Sequence, residues 1–257
     1  MLYAVISDLH VPFCDTRKLD LFLYTCQEIK VTHLVINGDF LDFASISAHG
    51  PKHPDIQYSL EDEIDKGNEV LDYIQKMLPN VEITFIFGNH EWRLDRFILK
   101  HSRPFWNIIK LEDMLRLKER GIKFLHYNER YQIEQTNCYI QHSPPSYSEN
   151  AALTSLKKKM DQDHIWGCSH RPDWAMKTGV SGEIYQAHML GWWGTTGYYN
   201  KIKNLYDNAR AAFQWTKGHE SWGTSFVLVT TDGKKHHLQH IVVKDYTCAV
   251  GDHLYYG

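Results

Sequence analysis

No stretch of this chain is apolar for the ~20 residues that a bilayer-crossing helix needs. Its N-terminal MLYAVISDLH also lacks the charged-then-apolar pattern of a secretory leader, so a cytoplasmic protein without a membrane anchor is expected. The five cysteines (Cys14, Cys26, Cys138, Cys168, Cys248) are odd in number and form no CxxC pair, which argues against a disulfide framework or a zinc finger and for a reducing compartment. Repeats, low-complexity tracts and linker-like Pro/Gly/Ser segments are missing, so one domain over residues 1–257 is the simplest organisation. An excess of one charge is missing too: 28 basic and 31 acidic side chains leave −3, which argues against charge-driven, nonspecific binding of nucleic acid but leaves room for a local basic groove.

What is present is an ordinary globular composition, 43% hydrophobic and 23% charged, on a chain long enough to bury a substantial core. Leu2 to Ser7 reads as a short apolar strand, Lys18 to Ile29 as an amphipathic helix, and THLVING as a second buried strand. After a polar stretch holding Gly50, Pro51 and Pro54, a helix from about Ser59 to Leu78 is signalled by Ser59 as N-cap and two acids in the first turn. VEITFIFGNHE is a third buried strand, and Leu94 to Arg120 reads as helix in two pieces broken near Pro104. From Ile122 onward short strands dominate (IKFLHY, RYQIEQ, NCYIQH, HIWGCSH, GEIYQAHML, TSFVLVTT, HHLQHIVV), with one helix expected at Asn150 to Met160. Helical connections in the first half and strands in the second place the chain in the α/β class.

The polar residues fall at strand ends. Asp8 and His10 are two apart, so on an extended chain both project to one face and can share an ion. The second strand ends in Gly38 and Asp39, the third in Gly88, Asn89 and His90, and a later one in Gly167, Cys168, Ser169 and His170. In each of these three, a glycine ahead of the polar group is expected to let the backbone turn sharply. His142 closes NCYIQH. Because the carboxyl ends of strands line the ligand crevice of open α/β sheets, these ends imply one convergent site. A single GD or DxH arises easily by chance; the ordered combination carries the inference.

That combination (Asp8-Leu9-His10, Gly38-Asp39, Gly88-Asn89-His90-Glu91, His142, Gly167-Cys168-Ser169-His170) resembles the motif series of the calcineurin-like metallophosphoesterases, including phage and bacterial members. The resemblance implies a four-layer αββα sandwich with two mixed β-sheets, in which an aromatic-rich C-terminal part, about 180–257, completes the second sheet. It implies that Asp8, His10 and His170 hold one divalent ion, that Asp39 bridges to a second, and that Asn89 and His142 hold the second. Two ions ~4 Å apart clamp a phosphoryl group and activate a water as hydroxide for in-line attack, and a carboxylate is the group able to bridge them. His90 matches a position that faces the substrate and protonates the leaving oxygen or holds the phosphate. Asp42, in GDFLD, has the spacing of an acid that orients this histidine, or is a loop cap. Arg93 can steer a phosphate oxygen with its planar fork, or pair with Glu91 or Asp95.

Cys168 stands where the family has histidine. It can ligate as a softer sulfur donor, moving the preference from Mn²⁺ toward Zn²⁺ or Fe²⁺. It can instead leave the second ion with three protein ligands, or a histidine such as His188 or His219 can complete the shell; His164 is ~13 Å away along an extended strand. In the tail, Trp192, Trp193, Tyr198, Tyr199, Trp215 and Trp222 interleave with Lys201, Lys203, Arg210 and Lys217, a mixture that can stack bases along a phosphodiester or pack a sheet or an interface. WGTSFVLVTTDGKKHHLQHIVV resembles the closing hairpin of many family members, with Asp232 and Gly233 as its turn. The expected activity is metal-dependent hydrolysis of a phosphate ester, with a phosphodiester in nucleic acid or a nucleotide ahead of a phosphomonoester. The reading from another class is a binding module on a degenerate phosphoesterase fold, as in the retromer subunit that resembles this family.

Overall fold

The computed structural model describes residues 1–47, 58–158, 161–195 and 222–257. Its first half alternates strand and helix: β1 (Leu2–Ile6), α1 (Thr16–Glu28), β2 (His33–Asn37), α2 (Leu60–Met77), β3 (Glu82–Ile86), α3 (Glu91–His101), α4 (Leu111–Met114) and β4 (Lys123–Leu125). The second half runs β5 (Tyr131–Gln132), β6 (Cys138–Gln141), α5 (Ala151–Lys158), β7 (Asp163–Trp166), β8 (Asp173–Thr178), β9 (Ile184–Met189), β10 (Thr224–Thr231), β11 (His236–Val243), β12 (Thr247–Val250) and β13 (His253–Tyr256).

Local chemistry accounts for the boundaries. Ser59 and Asp62 form a reciprocal capping box that starts α2 one residue after Ser59. The segment beyond Leu94 departs from the expected pair of helices: α3 begins earlier, at Glu91, Pro104 lies in a 3₁₀ turn over Arg103–Phe105, and α4 is one short turn. At the β10–β11 hairpin the Asp232 carboxylate accepts the amides of Lys234 and Lys235, each at 2.8 Å, and Gly233 takes φ 90°.

Eleven of the described strands form two mixed sheets, and β12 and β13 pair as a separate antiparallel ribbon. One has the order β11-β10-β1-β2-β3-β4, with β1 to β4 parallel and β10 and β11 antiparallel; the other has the order β5-β6-β7-β9-β8, with β6, β7 and β9 parallel. The two-residue period of a strand sorts side chains between layers. Ala4 and Ile6 of β1 enter the core under α1 to α3, whereas Tyr3 and Val5 enter the core between the sheets. A third cluster seals α5 onto the outer face of the five-stranded sheet through Ala152, Leu156, Trp166 and Met189. The order is therefore helices, sheet, sheet, helix.

The tail divides differently from expectation. β9 lies in the five-stranded sheet, but β10 and β11 extend the six-stranded one, with β10 antiparallel to β1. β10 is buried on both faces, Phe226 and Leu228 toward the helices and Val227 and Val229 toward the other sheet, so its sequence carries no sign of which sheet it joins. The expectations for Gly50, Pro51, Pro54, Tyr198, Tyr199, Lys201, Lys203, Arg210, Trp215, Lys217 and His219 lie outside the described residues. No described helix is long and apolar enough to cross a membrane.

Candidate metal centre

The parallel strands β1, β2 and β3 of one sheet and β6 and β7 of the other send their carboxyl ends to the same edge of the sandwich. Backbone hydrogen bonds tie these ends together: Asp8 N–H to the Gly38 carbonyl and His10 N–H to the Asp39 carbonyl, both 3.0 Å, and Gly167 N–H to the His142 carbonyl, 2.9 Å. The Cys168 amide donates to the Asp8 carboxylate at 3.0–3.1 Å, and the His90 amide donates to Asp39 Oδ1 at 2.8 Å. Each loop is thus fixed by a side chain of another loop.

Five of the converging residues, Asp8, His10, Asp39, Cys168 and His170, have φ between 50° and 67°. A side-chain-bearing residue in this left-handed region costs roughly 1–2 kcal/mol, so the five together consume an amount comparable to the net stability of an ordinary domain. Such strain persists only where surrounding contacts over-determine it, and it aims several side chains into one volume.

The glycines act differently from the expected sharp turn at Gly88 and Gly167, which do not have positive φ. A Cβ on Gly88 would stand 2.3 Å from the Asp39 amide nitrogen, and one on Gly167 would stand 2.0 Å from Ser7 Oγ and 2.9 Å from Asp8 Oδ2. These positions need the absence of a side chain so that neighbouring loops can close on one another.

Among the described residues the donors fall into three overlapping groups, of which His10, Asp42 and His90 form one and the other two adjoin at Asp39. Ligand atoms of Asp8, His10, Asp39 and His170 lie within 4.8 Å of one another, as do those of Asp39, His142 and Cys168, and Asp39 is common to both. In the first group His170 Nε2 is 3.2 Å from Asp8 Oδ1 and 3.0 Å from His10 Nε2. In the second, His142 Nε2 is 3.2 Å from Asp39 Oδ1 and 3.0 Å from Asn89 Oδ1, which also meets Cys168 Sγ at 2.9 Å. All seven residues that the family resemblance and Cys168 supply are therefore brought together.

These contacts fit a bound cation. His142 donates its Nδ1–H to the Asn37 carbonyl at 2.7 Å, so its Nε2 lone pair faces two oxygen acceptors. His10 Nδ1 is likewise engaged by Asp42 Oδ1 at 2.9 Å, which turns its Nε2 toward His170 Nε2. Burial pushes both His10 and His142 down, but neighbouring carboxylates outweigh it: Asp42 and Asp8 raise His10 to about 10, and Asp39 raises His142 well above the usual range. Burial would raise Asp8 and Asp39, yet the imidazoles hold both carboxyls below the usual carboxylate range. Burial instead pushes His170 below its usual range; with two buried carboxylates among these imidazoles the volume suits a divalent ion, and carboxylate, imidazole, amide oxygen and sulfur form a donor set for one.

Asp42 and Arg93 both lie against His90. The Asp42 carboxylate is closer to His10 Nδ1 (2.9 Å) than to His90 Nδ1 (3.3 Å), and it is the Asp42 carbonyl that takes His90 Nδ1–H at 2.7 Å. Arg93 pairs with neither Glu91 nor Asp95; it donates to the Asp42 carbonyl at 2.8 Å and to His90 Nε2 at 2.6 Å. Asp95 accepts from the Trp106 indole instead. His188 is turned away from the centre, with its Nδ1 3.3 Å from His240 Nδ1 between the sheets, and does not complete the shell.

Sequence reasoning missed Glu91. It is buried at the start of α3, and its carboxylate accepts the amides of Gly88, Asp39 and Leu41 at 2.7–2.9 Å, clamping the loop after β2 onto the loop after β3. Its signal was the acid closing the GNHE stretch. Trp222 was named only as a tail aromatic; it packs edge-on against His170, ring centroids 4.1 Å apart, and against Trp192 at 4.9 Å. Trp193 is fully buried in the core.

Comparison with known proteins agrees with this geometry at the level of family. Residues 1–186 match the sequence profile described as calcineurin-like phosphoesterase. A search of curated proteins finds no match. Solved structures with a similar chain trace include Vps29 from Chaetomium thermophilum (13% identity, TM-score 0.45, covering 100% of this chain and 97% of that one). They also include wild-type Vps29 from Entamoeba histolytica in complex with Zn²⁺ (13%, 0.44, 97% and 96%) and a phosphatase from Mycoplasma pneumoniae (13%, 0.37, 94% and 93%). The profile match covers well over half of the chain: the protein belongs to the calcineurin-like phosphoesterases, a family of metal-dependent phosphoester hydrolases.

Proposed function

We propose that the protein hydrolyses a phosphodiester, in a nucleic acid or nucleotide, at a centre for two divalent ions. The observation that carries this reading is Asp39, shared by two of the donor groups and so able to bridge. Asp8, His10 and His170 would hold one ion, and Asn89, His142 and Cys168 the other. The pair supplies, when bound, a clamp on the phosphoryl oxygens and an activated water near neutral pH. Mn²⁺ suits the oxygen- and nitrogen-rich first group; sulfur in the second favours Zn²⁺ or Fe²⁺.

The chain's own residues do the rest. Asp42, through its carbonyl, keeps the proton of His90 on Nδ1, so Nε2 is the atom turned outward. Arg93 donates to that atom at 2.6 Å, so a phosphoryl oxygen taken by its guanidinium would arrive beside His90; once Arg93 turns to the phosphate and Nε2 takes up a proton, the imidazolium would hold that oxygen or pass the proton to the leaving oxygen. The half-buried Trp222 ring, edge-on to His170 and packed against the buried Trp192, offers an apolar flank on the first-ion side, which suits a substrate with a planar group next to its phosphate.

Hydrolysis of bis-p-nitrophenyl phosphate against p-nitrophenyl phosphate, with Mn²⁺ added, tests the diester preference; cleavage of the monoester alone would remove it. His90→Ala is expected to keep its metals and lose nearly all turnover. Wild-type-like turnover in that variant would take His90 out of the mechanism.

A further inference from the structure

β8 is an edge strand. It pairs with β9 from Asp173 opposite Met189 to Thr178 opposite Ile184, and among the described residues no strand lies on its other side. One residue beyond this register the Gly179 N–H donates to the Glu183 carbonyl at 2.7 Å. By the alternation of an antiparallel pair, Asp173, Ala175 and Lys177 then bond to β9, while Trp174, Met176 and Thr178 direct their N–H and C=O groups to the open side.

An exposed edge is ordinarily blunted by charge, proline or a bulge. β8 instead carries two large apolar side chains, Trp174 and Met176, which are 57% and 55% exposed. Trp174 stands opposite His188, which packs on His240 of β11, the last strand of the six-stranded sheet, so β8 overhangs the end of that sheet. Ile184 of β9, on the same face as Met176, and Val242 of β11, two residues past His240, are also exposed and extend this apolar surface. A contiguous apolar edge of this kind is a surface for association.

The segment Asp173-Trp174-Ala175-Met176-Lys177 is self-complementary. Two copies of β8 can pair antiparallel only with their outward-directed groups opposite one another, which puts a central two-fold axis at Trp174, Ala175 or Met176. With the axis at Trp174, Lys177 faces Arg171 of the second copy; with the axis at Met176, Asp173 faces Gly179. With the axis at Ala175, Asp173 faces Lys177 and Trp174 faces Met176, each twice, so charge meets opposite charge and indole meets thioether. The Ala152 amide donates to Asp173 Oδ2 at 2.9 Å, which fixes that carboxylate on its face of the strand. We propose that β8 pairs with β8 of a second copy of this chain across a two-fold axis at Ala175. The pairing joins two five-stranded sheets into one of ten strands, covers Trp174 and Met176 of both copies, and uses no residue of the metal centre.

Sedimentation velocity of the full chain is expected to show an equilibrium between monomer and dimer across the micromolar range. Lys177→Glu sets an acid opposite Asp173 twice in the dimer and is expected to weaken association roughly 10-fold. Ala175→Cys stands opposite itself at a non-hydrogen-bonded pair, with Cα atoms ~4.5 Å apart, and is expected to give a disulfide-linked dimer on mild oxidation. Thr178→Cys lies ~20 Å along the strands from its counterpart and is expected to give none. A chain that stays monomeric at every concentration overturns the pairing and leaves the edge to a strand of another protein. A dimer that Ala175→Cys does not cross-link, or that Lys177→Glu leaves at full strength, overturns it as well, because its interface is then another surface or another register.

Discussion

Asp42→Asn separates two roles that one residue carries. The carboxylate bonds His10 Nδ1 at 2.9 Å, while the backbone carbonyl of the same residue holds His90 Nδ1 at 2.7 Å and Arg93 at 2.8 Å. Asparagine keeps the carbonyl and a side-chain oxygen that can still accept from His10, but removes the charge. Against burial, which pushes His10 down, Asp42 is the largest influence raising it to about 10 from about 6.5, so the anionic surroundings favour positive charge at this ring. Losing an outer-shell partner of a metal-bound histidine costs roughly 10–100-fold in metal affinity, or about 1.4–2.8 kcal/mol. The variant is therefore expected to bind the first ion one to two orders of magnitude more weakly by calorimetric titration, and to regain most of its kcat once metal is saturating. Unchanged metal affinity with kcat lost at saturating metal would refute this and return Asp42 to the role of orienting His90 through its carboxylate.

Two further perturbations probe the scaffold. His188 and His240 are packed against each other between the sheets; burial pushes His188 to about 3, with His240 adding to it, and His240 to about 4. A histidine whose folded pKa lies below its unfolded one binds more protons when unfolded, so this stability is present above about pH 6.5 and is lost as pH falls toward 4. For His240 alone the loss is about 3 kcal/mol. His240→Leu should be the less stable protein at pH 7.5, because His188 loses a partner, and the gap to wild type should close on acidification in urea unfolding series; parallel curves would contradict this. Gly167→Ala forces a Cβ into Ser7 Oγ and toward Asp8, so a loss of about 1–3 kcal/mol in the same unfolding assay is expected together with weaker binding of the first ion, and wild-type values for both would contradict the close-approach reading.

The sequence disclosed the centre unevenly, for physical reasons. Strand ends were legible because each one places a metal-capable side chain after a short apolar run, and α2 was legible because Ser59 and Asp62 spell a capping box. The bond between His10 and Asp42 was not, since it joins two loops 32 residues apart and exists only once β1 and β2 lie side by side. The left-handed backbone at Asp8, His10, Asp39, Cys168 and His170 gave no signal either, because glycine is the residue that advertises that conformation. Glu91 was visible as an acid but not as a clamp on three amides, which depends on two loops meeting. β8 was not anticipated: it alternates half-buried Asp173, Ala175 and Lys177 with exposed Trp174, Met176 and Thr178, so large apolar side chains lie on its open face.

If Asp39 joins two ion sites, the metal stoichiometry of the chain must show it most directly. Elemental analysis of the chain equilibrated with Mn²⁺ and Zn²⁺ should give two divalent ions per wild-type chain, two in Cys168→His with the balance moved toward Mn²⁺, and fewer than one in Asp39→Ala. A wild-type chain that retains no ion, or an Asp39→Ala chain that retains two, would contradict it.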